Sequence, residues 1–240
     1  MANLLIDIGN SSIKLGLSER QTLEKTERTD RENIITAIDS FIAERNIDVA
    51  VISSVADGCE YIYDYVKSVS KKTILLDSKT ELPVKIGYNT PSTLGADRIA
   101  AAVGANFLLP KEKTIIFDFG TAITIDFLSD EGVLWGGNIS LGMNTRFKAL
   151  NRFTGKLPLC ERPMDINDIG VSTKTAIESG VVLGIMFEVE GYLQKYKDHR
   201  VVFTGGDSLY FAEKLKNPIF VIFNLNLIGL SYIADYHANN

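Results

Sequence analysis

The chain has 240 residues, of which 45% are hydrophobic and 23% charged, with 19 glycines and 6 prolines. That balance excludes disordered and collagen-like chains, and the length allows one large domain or two of about 120 residues each. With 25 Lys plus Arg against 30 Asp plus Glu the net charge is −5, so no long-range basic field is available for nucleic acid.

The first residues, Met1 to Asp7, carry no basic segment and meet an acid at once, which argues against a secretory signal. Ala2 to Leu17 reads as a strand pair: Leu4, Leu5 and Ile6 are apolar, Asp7 to Ser12 turn, and Ile13, Leu15 and Leu17 then alternate with Lys14 and Gly16. Helical spacing of Ile34, Ile35, Ile38, Phe41 and Ile42 predicts a helix over Glu32 to Arg45, followed by a buried strand over Val49 to Ser54. A helix over Tyr61 to Ser70 and a strand over Thr73 to Leu76 come next. Ile99 to Leu109 reads as a helix rich in small residues that Pro110 ends.

The second half opens as the first does. Thr114 to Phe117 is an apolar strand, Asp118-Phe119-Gly120-Thr121-Ala122 turns, and Ile123, Ile125 and Phe127 alternate with Thr124 and Asp126. Asp7 and Asp118 hold equivalent places 111 residues apart, which points to an internal duplication. A long helix over Thr173 to Gln194, a strand over Val201 to Thr204 and a helix over Leu209 to Leu215 complete an α/β alternation with helices on the sheet faces. The polar break at Pro110 to Lys113 places a domain boundary between residues 112 and 113, giving units of 1–112 and 113–240.

Two further features bound the function. The apolar stretch Ile219 to Ala234 is broken by Asn224 and Asn226 and falls short of the roughly 20 residues of a membrane span. Cys59 and Cys160 stand too far apart in sequence to form a metal-ligand pair or a disulfide framework, and read as thiols of a reducing cytoplasm. A soluble cytoplasmic protein is expected.

A strand that ends in Asp and turns through Gly suits a nucleotide. Glycine lets the backbone approach a phosphate, the turn amides point at its oxygens, and carboxylates at the strand ends suit Mg²⁺ or its waters. Asn10, Ser11, Ser12 and Thr121 add short donors and Lys14 a point charge. Two plain β-hairpins would read the same way one at a time, but the matched pair favours the nucleotide. Neither a G-x-x-x-x-G-K-[ST] loop nor a G-x-G-x-x-G turn after a strand occurs. Further on, Gly95-Ala96 strips side chains from the start of a helix, and Asp97-Arg98 sets an acceptor beside a cation. Asp97 can orient an attacking hydroxyl in phosphoryl transfer, and Arg98 can bind a carboxylate with paired hydrogen bonds. An N-cap Asp with a solvated Arg is the alternative.

The duplicated hairpins resemble the superfamily of actin, sugar kinases and heat-shock chaperones, which implies duplicated ribonuclease-H-like domains with an ATP cleft between them; Thr204-Gly205-Gly206-Asp207 resembles its adenosine-contacting element. Leu94-Gly95-Ala96-Asp97-Arg98, with Asp7-Ile8-Gly9-Asn10-Ser11, Asp118-Phe119-Gly120-Thr121-Ala122 and Gly136-Gly137-Asn138-Ile139, resembles type III pantothenate kinase over nearly the whole chain. The resemblance implies ATP-dependent phosphorylation of pantothenate to 4′-phosphopantothenate, the first committed step towards coenzyme A. It implies Asp97 as proton acceptor and Tyr88 with Gly95, Ala96, Asp97 and Arg98 as pantothenate contacts. It implies an ATP-binding turn over Asp7, Ile8, Gly9, Asn10, Ser11, Ser12, Ile13 and Lys14, with Thr121 a further ATP contact. Asp118 becomes the ligand of a monovalent cation, K⁺ or NH₄⁺, with Mg²⁺ accompanying ATP. Gly170-Val171-Ser172-Thr173 resembles the element whose threonine reaches pantothenate across a dimer interface, which implies a homodimer; a helix N-cap is compatible with that role.

One position departs from the family pattern: Ser140-Leu141-Gly142 stands where a Pro-Gly turn is usual, and without proline's fixed φ the loop is expected to be less constrained. Thr154-Gly155-Lys156-Leu157-Pro158 keeps the family's Thr-x-x-Leu-Pro form. Two rival readings are a sugar kinase of the same superfamily and a non-catalytic ATP-binding regulator akin to transcriptional accessory factors. Two separated cysteines cannot build the zinc motif of many glucokinase-like members, and an acidic chain gives no support to DNA binding.

Overall fold

A computed structural model describes residues 1–43, 45–55 and 58–239. Each half of the chain begins with an antiparallel hairpin, and each hairpin is the centre of a sheet. In the first half the hairpin is β1 (Ala2–Ile8) with β2 (Ile13–Glu19), extended by β3 (Thr22–Thr29), β4 (Ile47–Ser54) and β5 (Ser70–Leu75). In the second it is β7 (Thr114–Phe119) with β8 (Ala122–Leu128), extended by β9 (Val133–Leu141), β10 (Arg200–Gly205) and β11 (Phe220–Val221). The strand orders are β3-β2-β1-β4-β5 and β11-β10-β7-β8-β9, the latter with β6 (Lys85–Ile86) added at its β9 edge. In both sheets the first three strands in sequence run antiparallel and the next two pair parallel beyond the opening strand. The duplication read from the two Asp-Gly turns therefore extends to the whole strand order.

Side-chain alternation decides what each sheet face meets. On β1, Leu4, Ile6 and Ile8 face outward beneath α1 (Ile34–Ile42) and α2 (Glu60–Val69), whose Ile34, Ile38, Phe41, Ile62 and Val66 complete one core. On β7, Ile115, Phe117 and Phe119 face α4 (Met143–Phe153), α5 (Thr173–Lys195) and α6 (Ser208–Lys214) in a second core built around Phe147, Val181, Ile185 and Phe211. The inner faces, Leu5 and Val51 from one sheet and Ile116 and Val202 from the other, close on α3 (Ala96–Leu108) and α7 (Leu225–Asn239). These two helices cross very closely: a Cβ at Gly229 would overlap the carbonyl oxygen of Ala100 and lie 3.0 Å from the amide of Gly104. Asp7 follows Leu5 by two residues and Asp118 follows Ile116 by two, so both carboxylates point to the inner side, at the open end of the layer that α3 and α7 fill.

Predicted boundaries shift by a few residues. The first helix spans Ile34–Ile42 rather than 32–45, with Glu44 outside the described residues, and α3 begins at Ala96 rather than Ile99. The division expected between residues 112 and 113 falls in the link from α3 to β7, yet β6 joins the second sheet and α7 packs back on the first; Asn240 lies outside the described residues. Leu141, expected in a loosened loop, closes strand β9 opposite Ala122, and its carbonyl accepts from Arg146 Nε at 2.8 Å.

Candidate active site

The turn after β1 is closed by Gly9 N–H donating to the Ser12 carbonyl at 3.1 Å, and the turn after β7 by Gly120 N–H donating to Ala122 at 3.0 Å. They face each other across a cleft of about 450 Å³, and Ser11 Oγ and Thr121 Oγ1 lie 2.9 Å apart. The glycine-rich end of β10 forms the third wall. Gly205 has φ +91° and a Cβ there would overlap Asp118 Oδ1, so this position requires glycine. Of the residues expected to bind nucleotide, Asp7, Gly9, Asn10, Ser11, Ser12, Lys14 and Thr121 line the cleft together with Asp97 and Asp118. Ile8 and Ile13 do not: both side chains are buried in the core behind the turn, leaving only their backbone near the cleft.

Asp97 enters from the first turn of α3. Gly95, with extended backbone, occupies the N-cap position, and a Cβ on it would overlap Asp97 Oδ1. Asp97 is therefore the second helical residue rather than the cap, and its Oδ1 accepts the Arg98 amide at 2.8 Å. Arg98 is not solvated either. Its side chain is 5% exposed, and its Nε and Nη2 donate to Asp126 Oδ1 at 2.9 and 2.6 Å. The Tyr88 ring lies 5.5 Å from the Arg98 guanidinium, at the helix start that also carries Gly95, Ala96 and Asp97. Thr173 stands apart: it is the first residue of α5, behind the Ser172 cap, and lines a separate apolar hollow with Leu141, Phe153 and Leu157.

Four carboxylates, Asp7, Asp97, Asp118 and Asp126, thus converge on two cations, Lys14 and Arg98. Burial pushes every one of them above its usual range. Asp118 is driven to about 7, with Lys14 opposing the shift and the neighbouring Asp97, Asp7 and Asp126 adding to it. Asp7 is held by Asn226, whose Nδ2 donates to Oδ2 at 3.3 Å. Among the described residues no three His, Cys, Asp or Glu side chains converge as a ready-made metal cage. Buried carboxylates short of cations, beside amide-lined turns, suit a hard cation that brings part of its own oxygen shell on a phosphate.

Sequence reasoning missed several of these residues. Asp126 had a visible signal, a charge at the centre of an alternating strand; Asn226 had one too, a polar break in an apolar run. Arg28, the cross-strand neighbour of Lys14 on β3, and Lys148 on α4 also line the cleft, and neither belongs to a motif.

The family model for type III pantothenate kinase matches residues 3–195. The type III pantothenate kinase of Cytophaga hutchinsonii is 41% identical over 98% of this chain and 100% of its own length, and that of Phocaeicola vulgatus is 40% identical over 98% of each. Among solved structures, the activator of the 2-hydroxyisocaproyl-CoA dehydratase from Clostridium difficile with bound ADPNP superposes with a TM-score of 0.60. It is 14% identical, covering 100% of this chain and 96% of that one, and supports the two-domain fold alone. With the duplicated sheets, the facing Asp-Gly turns and the Gly-Ala-Asp-Arg helix start all in place, the chain belongs to the type III pantothenate kinase family.

Proposed function

We propose that this chain transfers the γ-phosphoryl group of ATP to the 4′-hydroxyl of pantothenate, giving 4′-phosphopantothenate for coenzyme A synthesis in the cytoplasm. The observation that carries this reading is Asp97 at the start of α3, opening onto the same cleft as the two Asp-Gly turns. The turn amides from Asn10 to Ser12, with Lys14, hold the phosphates, and Thr121 reaches them from the second sheet. Asp97, held by the Arg98 amide, orients the hydroxyl and takes its proton late, as a loose phosphoryl-transfer state requires. Tyr88, Gly95, Ala96 and Arg98 form the acceptor side. Arg98 carries it through the donors that Asp126 leaves free.

Mg²⁺ bound with ATP would neutralise phosphate charge beside Asp7, and K⁺ or NH₄⁺ would sit on Asp118, a carboxylate that burial pushes up to about 7. Closing the turns over ATP keeps water from competing for the phosphoryl group. A homodimer completes the site. Phe153, Val171, Ile139, Leu141 and Phe187 expose 50% or more of their surface, and the hollow of about 860 Å³ beside them has Thr173 on its rim. A second copy seated there covers an apolar surface too large to leave in water and brings Thr173 to its neighbour's pantothenate. The measurement is ADP release with ATP, Mg²⁺ and pantothenate, in KCl and in NaCl. Turnover that needs pantothenate and prefers K⁺ is expected; folded protein with no pantothenate-dependent turnover in either salt would overturn the reading.

A further inference from the structure

Asp126 is the buried carboxylate that phosphoryl transfer itself does not use. It sits at the centre of β8, its side chain 1% exposed, and spends one oxygen on both Arg98 donors. Its other oxygen, Oδ2, is buried with no hydrogen bond of normal geometry among the described residues, and the Thr124 hydroxyl stands beside the carboxyl. The strand beside it is shaped around this pair. A Cβ on Gly137 would overlap the Ile125 carbonyl and lie 2.7 Å from both Arg98 Nη2 and Asp126 Oδ1. At Gly136, φ +148°, a Cβ would touch the Tyr88 ring at 3.5 Å. Gly137 therefore leaves room for the Arg98–Asp126 pair, and the Tyr88 ring lies 5.5 Å from the guanidinium beside Gly136.

We infer that Asp126 is a positioning residue for the acceptor substrate, aiming the remaining N–H groups of Arg98 at the substrate carboxylate while touching neither substrate nor phosphate. The inference rests on the reading of Arg98 as a pantothenate contact given above. An arginine without a fixed partner samples many rotamers, and a planar fork must be held to meet a carboxylate with paired hydrogen bonds. Asp126 holds it as an ion pair and by geometry: burial pushes its carboxyl up to about 6, which still leaves it ionised at neutral pH against Arg98. The positioning itself depends on the acceptor oxygen that takes both Arg98 donors. The Oδ2 side leaves a place where an amide NH₂ is tolerated, so an asparagine keeps an acceptor for Arg98 on the other oxygen.

Two acceptors separate aim from general damage: pantothenate, and the alcohol in which its carboxylate is reduced to CH₂OH. In the full-length enzyme, Asp126→Ala is expected to raise the KM for pantothenate more than tenfold, with the KM for ATP within twofold of wild type. The preference for acid over alcohol should fall towards unity. Asp126→Asn should keep the pantothenate KM within about threefold. Arg98→Lys retains the charge but cannot hold Asp126 and offer paired donors to the substrate carboxylate at once; it should lose the acid preference as well, and it carries the test if the alanine variant does not fold. Equal losses for acid and alcohol in Asp126→Ala, an asparagine variant as impaired as the alanine one, or an acid preference retained in Arg98→Lys would each overturn the positioning role. Wild-type enzyme that turns over neither acceptor would overturn the substrate reading itself, and the inference with it.

Discussion

In its proposed role Asp97 works only as a carboxylate, and its surroundings set the pH at which it becomes one. Burial raises it, and the Arg98 amide and guanidinium pull it back only in part. The acid limb of kcat/KM for pantothenate should therefore lie above the roughly 3.9 of a free Asp side chain, with activity falling as pH drops through the raised value. Asp97→Asn should lower kcat by roughly 10²–10⁴-fold and remove that limb. ATP affinity in this variant should stay within a few-fold; its loss would show that Asp97 supports the cleft rather than the chemistry. Asp118 makes a separate prediction. Asp118→Ala should abolish the difference between KCl and NaCl while leaving a folded protein, and a salt preference unchanged in that variant would remove Asp118 from the cation site.

At the scale of elements, the site depends on two helices that carry few charges. Asp97 is placed by α3, and α3 is placed by α7, which also supplies Asn226 to Asp7. Because Gly104 and Gly229 let the two backbones meet, Gly229→Ala has no small adjustment open to it: the obstruction is the Ala100 carbonyl of the facing helix. We expect a loss of about 2–3 kcal/mol and a fall of roughly 5–10 °C in Tm, read by thermal unfolding. An unchanged Tm would mean that the helices separate without penalty. This crossing was not legible in the sequence. Ile219 to Ala234 offered only an apolar run, since a helix buried on all sides has no polar stripe to set a 3.6-residue period. Strand β3 was hidden for the opposite reason, because its residues are mostly exposed and show no alternation. The hairpins β1-β2 and β7-β8 could be read because one face of each strand is apolar and the turns carry Asp and Gly. Lys14 could be read because it follows such a turn, and Asp97 from the Gly95-Ala96 start of a helix, whereas Asn226 and Arg28 reach the cleft through long-range packing that no local motif announces.

At the scale of the whole molecule two consequences follow from surface and charge. The exposed apolar face around Phe153 should disappear in a dimer, so Phe153→Asp is expected to elute as a monomer and to raise the pantothenate KM as Thr173 is withdrawn; wild-type protein that is monomeric at assay concentration would defeat this arrangement. The second consequence is a stability profile that runs against the common one. Folded protein keeps protons on Asp118 up to about pH 7 and on Asp126 up to about pH 6. In the unfolded chain the same groups release them near 3.9. Between about pH 4 and 7 the folded state therefore binds more protons than the unfolded one, and stability must fall as pH rises. For ligand-free protein we expect Tm to drop by roughly 5 °C or more from pH 5.5 to pH 8. If Mg²⁺ and K⁺ bind there with ATP as proposed, adding them should restore more of the Tm at pH 8 than at pH 5.5, where protons already occupy the carboxylates. A ligand-free Tm that rises over the same interval would mean that these carboxylates ionise without cost, and that the cleft is not built to wait for cations.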